Sequence, residues 1–350
     1  MIKNKKNFIL EDHINKDYFK KKLHPKDKIK LNKIIKIIYE NLDNKKDTFH
    51  ILSKKFIFNY EYFNLKKFEK YKSVILIGMG GSVLGSHSIY TFLKHKIKKN
   101  FIFLDNLDQS KIEHVRKKVN LKASLFIIIS KSGNTIETLI NSNLFKNDIS
   151  SKNSIIITEQ KNNLLNTFGV KKNILQIPHK FYLGGRYSVL SEVGMVPAYF
   201  MGLNVKNFRN KLLSFLNTKQ NLILSESIVK LAHIYNAKKI KSIVLLNYAP
   251  QLNDFLYWCQ QLIAESLGKK GKGILPVISS APRDHHSLLQ LYLDGPKDKL
   301  FYIFSLDLNK SMKINNNIFG KSFEFVKNKE LSKIITSQKK ALTTVLKKKN

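Results

Sequence analysis

The spacing of apolar residues changes character once along the chain. Up to about residue 70, apolar residues recur three or four positions apart, as in Leu31, Ile35 and Ile38, and this spacing predicts a helical N-terminal layer. From Ser73 onward, short apolar runs alternate with amphipathic stretches, which is typical of a parallel sheet covered by helices. The predicted strands are 74–77, 101–104, 125–129, 155–158 and 174–177.

The second half of the chain repeats this alternation. A helical region is predicted from Ser188 to about Ala237, and another helix from Leu331 onward. Between them lie three more predicted strands, at 243–247, 274–278 and 300–305. A chain of 350 residues with 43% apolar content suits two domains behind the N-terminal layer. The expected divisions are 1–70, 71–205 and 206–350.

Several sequence features bear on the cellular compartment of the protein. The longest apolar runs, 73–77 and 125–129, are too short to cross a hydrocarbon core of ~30 Å, so no membrane span is predicted. The basic start offers no apolar stretch suited to a secretory signal. The single cysteine, Cys259, excludes an internal disulfide and is best explained as a small buried hydrophobe. We expect a cytoplasmic protein.

The formal net charge of +37 raises the question of nucleic-acid binding, because dense cations gain free energy by releasing counterions from phosphates. Only four of the 62 basic residues are arginine, and the lysines are spread along the whole chain. A dedicated binder more often shows a localised, arginine-rich patch. We therefore expect no specific nucleic-acid partner, although charge-driven binding stays open as an alternative.

Two loops that follow predicted strands could bind an anion. In the first, 78–85, glycines let the backbone approach a ligand at the start of a helix. Nucleotide binding, with Asp105 as the acidic partner, and a tight turn without a ligand stay open there. The second, 130–138, combines Ser130, Lys131, Ser132 and Thr135 at a helix start, which favours a phosphate site over simple helix capping.

Three further segments carry candidate catalytic residues. Gly185 and Arg186 could direct N–H groups and a guanidinium at an oxyanion. Glu265 lies one helical turn after Gln261 in an apolar helix, so we expect a partly desolvated carboxylate that could act as a base. His285 and His286 are adjacent and so cannot chelate one metal as an i, i+4 pair does. One of them is expected to titrate, and no metal or cofactor is expected.

Taken together, these motifs resemble the phosphoglucose isomerase family, which is built from two sugar-isomerase (SIS) domains. The resemblance spans about 73–305, with the motifs in the family's order. It implies two SIS-type parallel sheets with flanking helices, in three αβα layers. It also implies an isomerase of glucose 6-phosphate and fructose 6-phosphate, a sugar-phosphate ligand, and a homodimer whose His286 serves the partner's site.

The resemblance also assigns roles to individual residues. Arg186 with Gly185 would stabilise an anionic intermediate, Glu265 would be the catalytic base, and His286 would assist ring opening. The residues implied around the phosphate and the sugar are Gly81, Ser82, Ser130, Lys131, Ser132, Thr135 and Gln261. The chemistry fits, because one carboxylate that reaches C1 and C2 can move the proton through an enediol without a metal.

One departure from the family pattern concerns the end of the chain. Family members commonly continue into a C-terminal helix with a ring-opening lysine, and none is recognised here, since Lys339 and Lys340 lie in a preceding helix. We expect intact core motifs without that lysine, in a fragment or a shortened member. A SIS-type sugar-phosphate sensor without chemistry, and an isomerase that also accepts mannose 6-phosphate, stay open.

Overall fold

The computed structural model describes residues 2–4, 8–14, 25–210, 212–217, 222–308 and 311–349. In chain order the strands are β1 (Ile2–Asn4), β2 (Phe8–Leu10), β3 (Ser73–Gly78), β4 (Asn100–Leu104), β5 (Ser124–Ile129), β6 (Ser154–Thr158), β7 (Leu175–Pro178), β8 (Ser242–Asn247), β9 (Leu275–Ser280) and β10 (Lys299–Phe304).

The α-helices of the described residues are α1 (Pro25–Asn41), α2 (Tyr62–Lys66), α3 (Leu84–Leu93), α4 (Gln109–Lys118), α5 (Ile136–Leu144), α6 (Leu164–Lys171), α7 (Glu192–Phe200), α8 (Val205–Arg209), α9 (Leu222–Asn236), α10 (Asn253–Leu267), α11 (Leu289–Asp294) and α12 (Leu331–Lys349). None of them is both long enough and apolar enough to cross a bilayer.

The chain folds into two compact units. The first unit comprises Asn32–Gln220 and Asp254–Ser266, and the second unit comprises Met1–Leu31, Asn221–Asn253 and Leu267–Asn350. Nearly all of α10 therefore belongs to the first unit, although more than thirty residues of the second unit precede it in the sequence. This insertion matters because α10 carries Gln261 and Glu265.

The first unit is built on a parallel five-stranded sheet in the order β4-β3-β5-β6-β7. Val74 and Leu76 of β3 point to one apolar core, and Ile75 and Ile77 point to the other. Because both faces of a parallel sheet are covered, its strands are continuously apolar rather than alternating. In the register of β3 and β5, Gly78 lies beside Ile129, so the loops that follow these strands start at neighbouring points.

The second unit contains a parallel three-stranded sheet in the order β10-β8-β9. Val244 and Leu246 of β8 pack with Tyr292 of α11 and with Leu342 and Leu346 of α12. The apolar face of the lysine-rich tail helix therefore belongs to this core. The parallel-sheet α/β fold class predicted from the sequence is confirmed.

Two predicted helical regions differ in detail from the structure. Between Ser188 and Ala237 the helix is divided into α7, α8 and α9, with residues 211 and 218–221 outside the described part. The break after α7 follows from Gly202, whose φ of +77° is left-handed, and from Asn204, whose side chain caps α8. Within the N-terminal layer, β1 and β2 pair antiparallel, and residues 1, 5–7 and 15–24 lie outside the described part.

Candidate active site

The glycine loop after β3 and the 3-10 turn Gly185–Leu190 touch through their backbones. A Cβ atom on Gly81 would lie 2.2 Å from the carbonyl carbon of Gly185, which no side chain can tolerate. The Ser188 hydroxyl donates to the carbonyl oxygens of Gly185 and Gly81, at 2.6 and 3.3 Å. Gly81 is therefore required for this contact, which places Arg186 beside the carboxyl end of β3.

Arg186 forms an ion pair with Glu265, and its Nη1 lies 3.1 Å from Glu265 Oε2. The arginine side chain is 17% exposed, whereas the glutamate side chain is 48% exposed. Our expectation of a partly desolvated Glu265 is thus wrong for this chain, because the last turn of α10 is exposed rather than core. The guanidinium that faces it is sheltered, so the site presents an accessible carboxylate held by a largely buried cation.

Gln261 completes this arrangement one helical turn before Glu265. Its amide nitrogen Nε2 lies 2.8 Å from Glu265 Oε1, and it is also the nearest atom that a Cβ on Gly80 would meet. Gly80 has a φ of +52°, a left-handed conformation that favours glycine. Each oxygen of the Glu265 carboxylate therefore accepts one hydrogen bond, which orients the carboxylate beside the glycine loop.

Three side chains that the sequence did not single out hold Arg186 in place. Ser266 Oγ accepts a hydrogen bond from Arg186 Nε at 3.0 Å and lies 2.8 Å from the Tyr187 hydroxyl. The guanidinium stacks over the Tyr187 ring at 4.4 Å, and the Trp258 indole donates to the Arg186 carbonyl at 3.0 Å. The sequence signal that could have identified Ser266 was its position directly after the candidate base, Glu265.

The loop after β5 gathers hydroxyl groups at the start of α5. Thr135 Oγ1 lies 3.0 Å from Ser130 Oγ and 3.4 Å from Ser132 Oγ. Thr135 occupies the N-cap position of α5, yet its side chain makes no capping hydrogen bond. The Thr135 side chain therefore leaves the first N–H groups of α5 uncapped, whereas the Ser130 and Ser132 hydroxyls accept hydrogen bonds from the Gly133 and Asn134 N–H groups at 3.1 and 3.2 Å. Such a helix start suits an anion.

Neighbouring contacts fix the shape of this hydroxyl loop. Gly133 has a φ of +70°, and a Cβ there would lie 1.8 Å from Asn163 Oδ1. Asn134 accepts a hydrogen bond from the Leu164 N–H at 3.0 Å. The loop backbone is thus held against the start of α6 before any ligand binds, which reduces the entropy lost on binding.

Lys131 is positioned differently from the hydroxyls beside it. Its ammonium donates to the carbonyl oxygens of Phe181 and Leu183, both at 2.8 Å, and lies 3.5 Å from Glu159. In this structure the cation ties the hydroxyl loop to the segment after β7. Its implied role at the phosphate stays a prediction that these contacts do not support directly.

The two adjacent histidines, which lie in the second unit, have different surroundings. His285 is half-buried, with its Nε2 2.8 Å from the Tyr248 hydroxyl, and its pKa is lowered by burial and then by the neighbouring His286. His286 is exposed. Burial acts to raise the pKa of Asp284, but hydrogen bonds led by the Ser280 N–H hold it below its usual range. Asp284 thus fixes the turn that precedes His286.

Other candidates from the sequence have structural explanations. Asp105, which kept a nucleotide site open, pairs with Lys111 at 3.2 Å and with His87 at 3.6 Å. Burial raises the pKa of the Cys259 thiol to about 11, so the thiol stays protonated near neutral pH. Ser82 lies in the 3-10 turn Gly80–Ser82, at the loop that touches Gly185.

Fold and site together define a class: a parallel-sheet α/β protein with an arginine–carboxylate pair and a hydroxyl-lined helix start, at the ends of adjacent strands. The family model described as phosphoglucose isomerase matches residues 12–275. The chain belongs to the phosphoglucose isomerase family, as the sequence resemblance predicted.

Individual relatives agree with the family match. The chain is 34% identical to a glucose-6-phosphate isomerase of Methanocaldococcus jannaschii over 88% of this chain and 78% of that protein. It is 32% identical to a glucose-6-phosphate isomerase of Campylobacter jejuni, with coverages of 77% and 70%. It is 31% identical to a probable glucose-6-phosphate isomerase of Methanococcus maripaludis, over 79% of this chain and 66% of that protein.

Solved structures share the fold. A hypothetical protein of Thermus thermophilus matches with a TM-score of 0.76 at 21% identity, over 91% of this chain and 80% of that one. A glucose-6-phosphate isomerase of Chlamydia trachomatis matches with a TM-score of 0.62 at 19% identity, over 81% and 57% of the two chains. At these identities the likeness concerns the fold alone.

Proposed function

We propose that this chain interconverts glucose 6-phosphate and fructose 6-phosphate, with Glu265 as the base that moves the proton. The observation that carries the proposal is the Glu265 carboxylate, held by Arg186 at 3.1 Å and by Gln261 at 2.8 Å. The family membership and the relatives named glucose-6-phosphate isomerase support the same activity.

Binding of the phosphate is assigned to the hydroxyl loop. The Ser130, Ser132 and Thr135 hydroxyls can each donate to a phosphate oxygen, and the start of α5 adds backbone N–H groups and the positive end of the helix dipole. Because the phosphate is remote from the reacting carbons, its binding energy serves to place C1 and C2.

The proton transfer is assigned to Glu265. The carboxylate removes the proton from C2 of the open-chain aldose, the C2–H electrons form the C1–C2 double bond, and the carbonyl oxygen at C1 takes up negative charge. The O2 hydroxyl then passes its proton to O1, which leaves the negative charge on O2. The O2 electrons form the carbonyl at C2 while the C1–C2 π electrons take the same proton back from Glu265 at C1, which gives the ketose. Stabilisation of the charged oxygen is assigned to Arg186.

Ring opening and assembly complete the proposal. The exposed His286 is assigned to proton transfer at the ring oxygen. We retain the expectation of a homodimer in which His286 serves the partner's site. We also retain the expectation of a cytoplasmic location. The domain boundaries expected at residues 70 and 205 stay predictions. The acceptance of mannose 6-phosphate as a second substrate also stays a prediction. Sedimentation at several protein concentrations tests the dimer.

The deciding experiment is a coupled assay from fructose 6-phosphate with wild type and Glu265→Gln. We expect turnover by the wild type and a fall in kcat of about 10²–10⁴-fold in the variant, the usual contribution of a general base. Glu113→Gln, at an exposed ion pair with Lys117, is the matched control. Equal turnover by Glu265→Gln would remove Glu265 as the base. Tight sugar-phosphate binding without wild-type turnover or solvent-proton exchange would favour a sensor.

A further inference from the structure

A histidine outside the proposed active site lies between two carboxylates. His87 of α3 has Nδ1 3.6 Å from Asp105 Oδ2 and Nε2 3.6 Å from Asp254 Oδ2. All three side chains are between 20% and 26% exposed, so the cluster is largely shielded from solvent. The proposed reaction does not use these groups.

Further contacts fix each member of the cluster. The His87 ring stacks on Phe103, with centroids 4.1 Å apart and an interplanar angle of 18°. Asp105 also pairs with Lys111 at 3.2 Å. Asp254 accepts a hydrogen bond from the Thr91 hydroxyl at 2.5 Å. His87 and Thr91 lie one helical turn apart on α3, so this helix holds Asp254 at two points.

Asp254 lies in the first turn of α10, the helix that carries the proposed base. Glu265 is eleven residues further along, which corresponds to about 16 Å at the rise of an α-helix. Over that distance, tilting α10 by a few degrees displaces the Glu265 carboxylate by about 1 Å. A misplacement of this size can cost about 10²-fold in rate. The opposite end of α10 is held where Ser266 and Glu265 bond to Arg186.

We propose that His87 is a positioning residue: bridging Asp105 and Asp254, it fixes the start of α10 and so places Glu265 for proton transfer. The inference rests on the proposed function only for its catalytic consequence. Its structural part, that the bridge holds α10 on the first unit, stands on the contacts alone.

Kinetics test the catalytic part. His87→Gln and Asp254→Asn should each lower kcat about 10-fold while KM changes less than about 3-fold, because the hydroxyl loop that binds the phosphate is untouched. The double variant should lose little more than Asp254→Asn alone, since both changes break one interaction. His50→Gln is the matched control: this buried histidine contacts the Leu42 carbonyl at 2.7 Å and should affect Tm without affecting kcat.

Hydrogen exchange tests the structural part independently of turnover. The amides of α10 should exchange about 10-fold faster in His87→Gln than in wild type, whereas those of β5 should not change. If His87→Gln fails to fold, Thr91→Val takes its place. This variant keeps the shape of the side chain and removes one hydrogen bond to Asp254, so it should lower kcat and speed the exchange of α10 in the same direction but less. Wild-type kcat with unchanged α10 exchange in a folded variant would overturn the proposal, as would losses that multiply in the double variant. An inactive wild type with faster α10 exchange in the variant would refute the proposed function alone.

Discussion

The hydroxyl loop and the Arg186–Glu265 pair are both at the ends of strands in the first unit, but they are assembled in different ways. Ser130, Ser132 and Thr135 lie within six residues, and their mutual contacts follow from one turn between β5 and α5. Arg186 and Glu265 are 79 residues apart in sequence. The comparison teaches that the proposed anion site is built from one short segment, whereas the proposed base depends on packing between distant segments.

After Glu265→Gln, the largest effect is expected from Arg186→Lys. Lysine keeps the charge but cannot bond Ser266 and Glu265 together through a planar fork. We expect kcat to fall about 10²–10³-fold, comparable to the loss of one oxyanion-stabilising donor, with a smaller change in KM. Steady-state kinetics in both directions measure it. An equally active lysine variant would show that charge alone suffices at this position.

Next comes Gly81→Ala, which tests the contact that brings the Arg186 segment to the glycine loop. The new Cβ would lie 2.2 Å from the Gly185 carbonyl carbon, so we expect a loss of about 1–3 kcal/mol in the free energy of unfolding, measured by denaturant titration. Gly185→Ala is the matched control for stability, because its Cβ would lie 3.9 Å from the Gly81 Cα. Equal stabilities would contradict the close backbone contact.

A smaller effect is expected for Ser266→Ala. The variant removes the hydrogen bond to Arg186 Nε and the contact with the Tyr187 hydroxyl, and a hydrogen bond to a charged group contributes about 1.5–3 kcal/mol. We expect kcat to fall about 10-fold with KM nearly unchanged. Ser266→Thr, which retains the hydroxyl, should restore part of the activity. A change confined to KM would place Ser266 in ground-state binding instead.

The smallest effect is expected for Thr135→Val in the hydroxyl loop. The substitution keeps the shape and removes one hydroxyl, and a net hydrogen bond of about 1 kcal/mol corresponds to a roughly 5-fold weaker affinity. The change should fall on KM, and inorganic phosphate should inhibit the variant more weakly by the same factor. Thr167→Val on α6, whose hydroxyl donates to the Asn163 carbonyl, is the control. A fall in kcat alone would move Thr135 out of phosphate binding.

The predicted strands agree with the structure closely where both faces of the sheet are covered. β3, β5 and β6 lie within one residue of the predicted 74–77, 125–129 and 155–158, because a fully buried strand gives a continuous apolar run. The helical region after Ser188 was less predictable. Its break after α7 depends on a left-handed Gly202 and a capping Asn204, which interrupt the apolar pattern only weakly.

The sequence alone determined the parallel α/β class, the hydroxyl loop and the family, because these depend on patterns within short segments. Only the tertiary structure decided that α10 belongs with the first unit, that Ser266 and Tyr187 hold Arg186, and that the Glu265 carboxylate is exposed. It also brought Asp254 to His87 across more than 160 residues. Such contacts arise where packed helices and loops meet, and no local spacing along the chain records which side chains will be neighbours there.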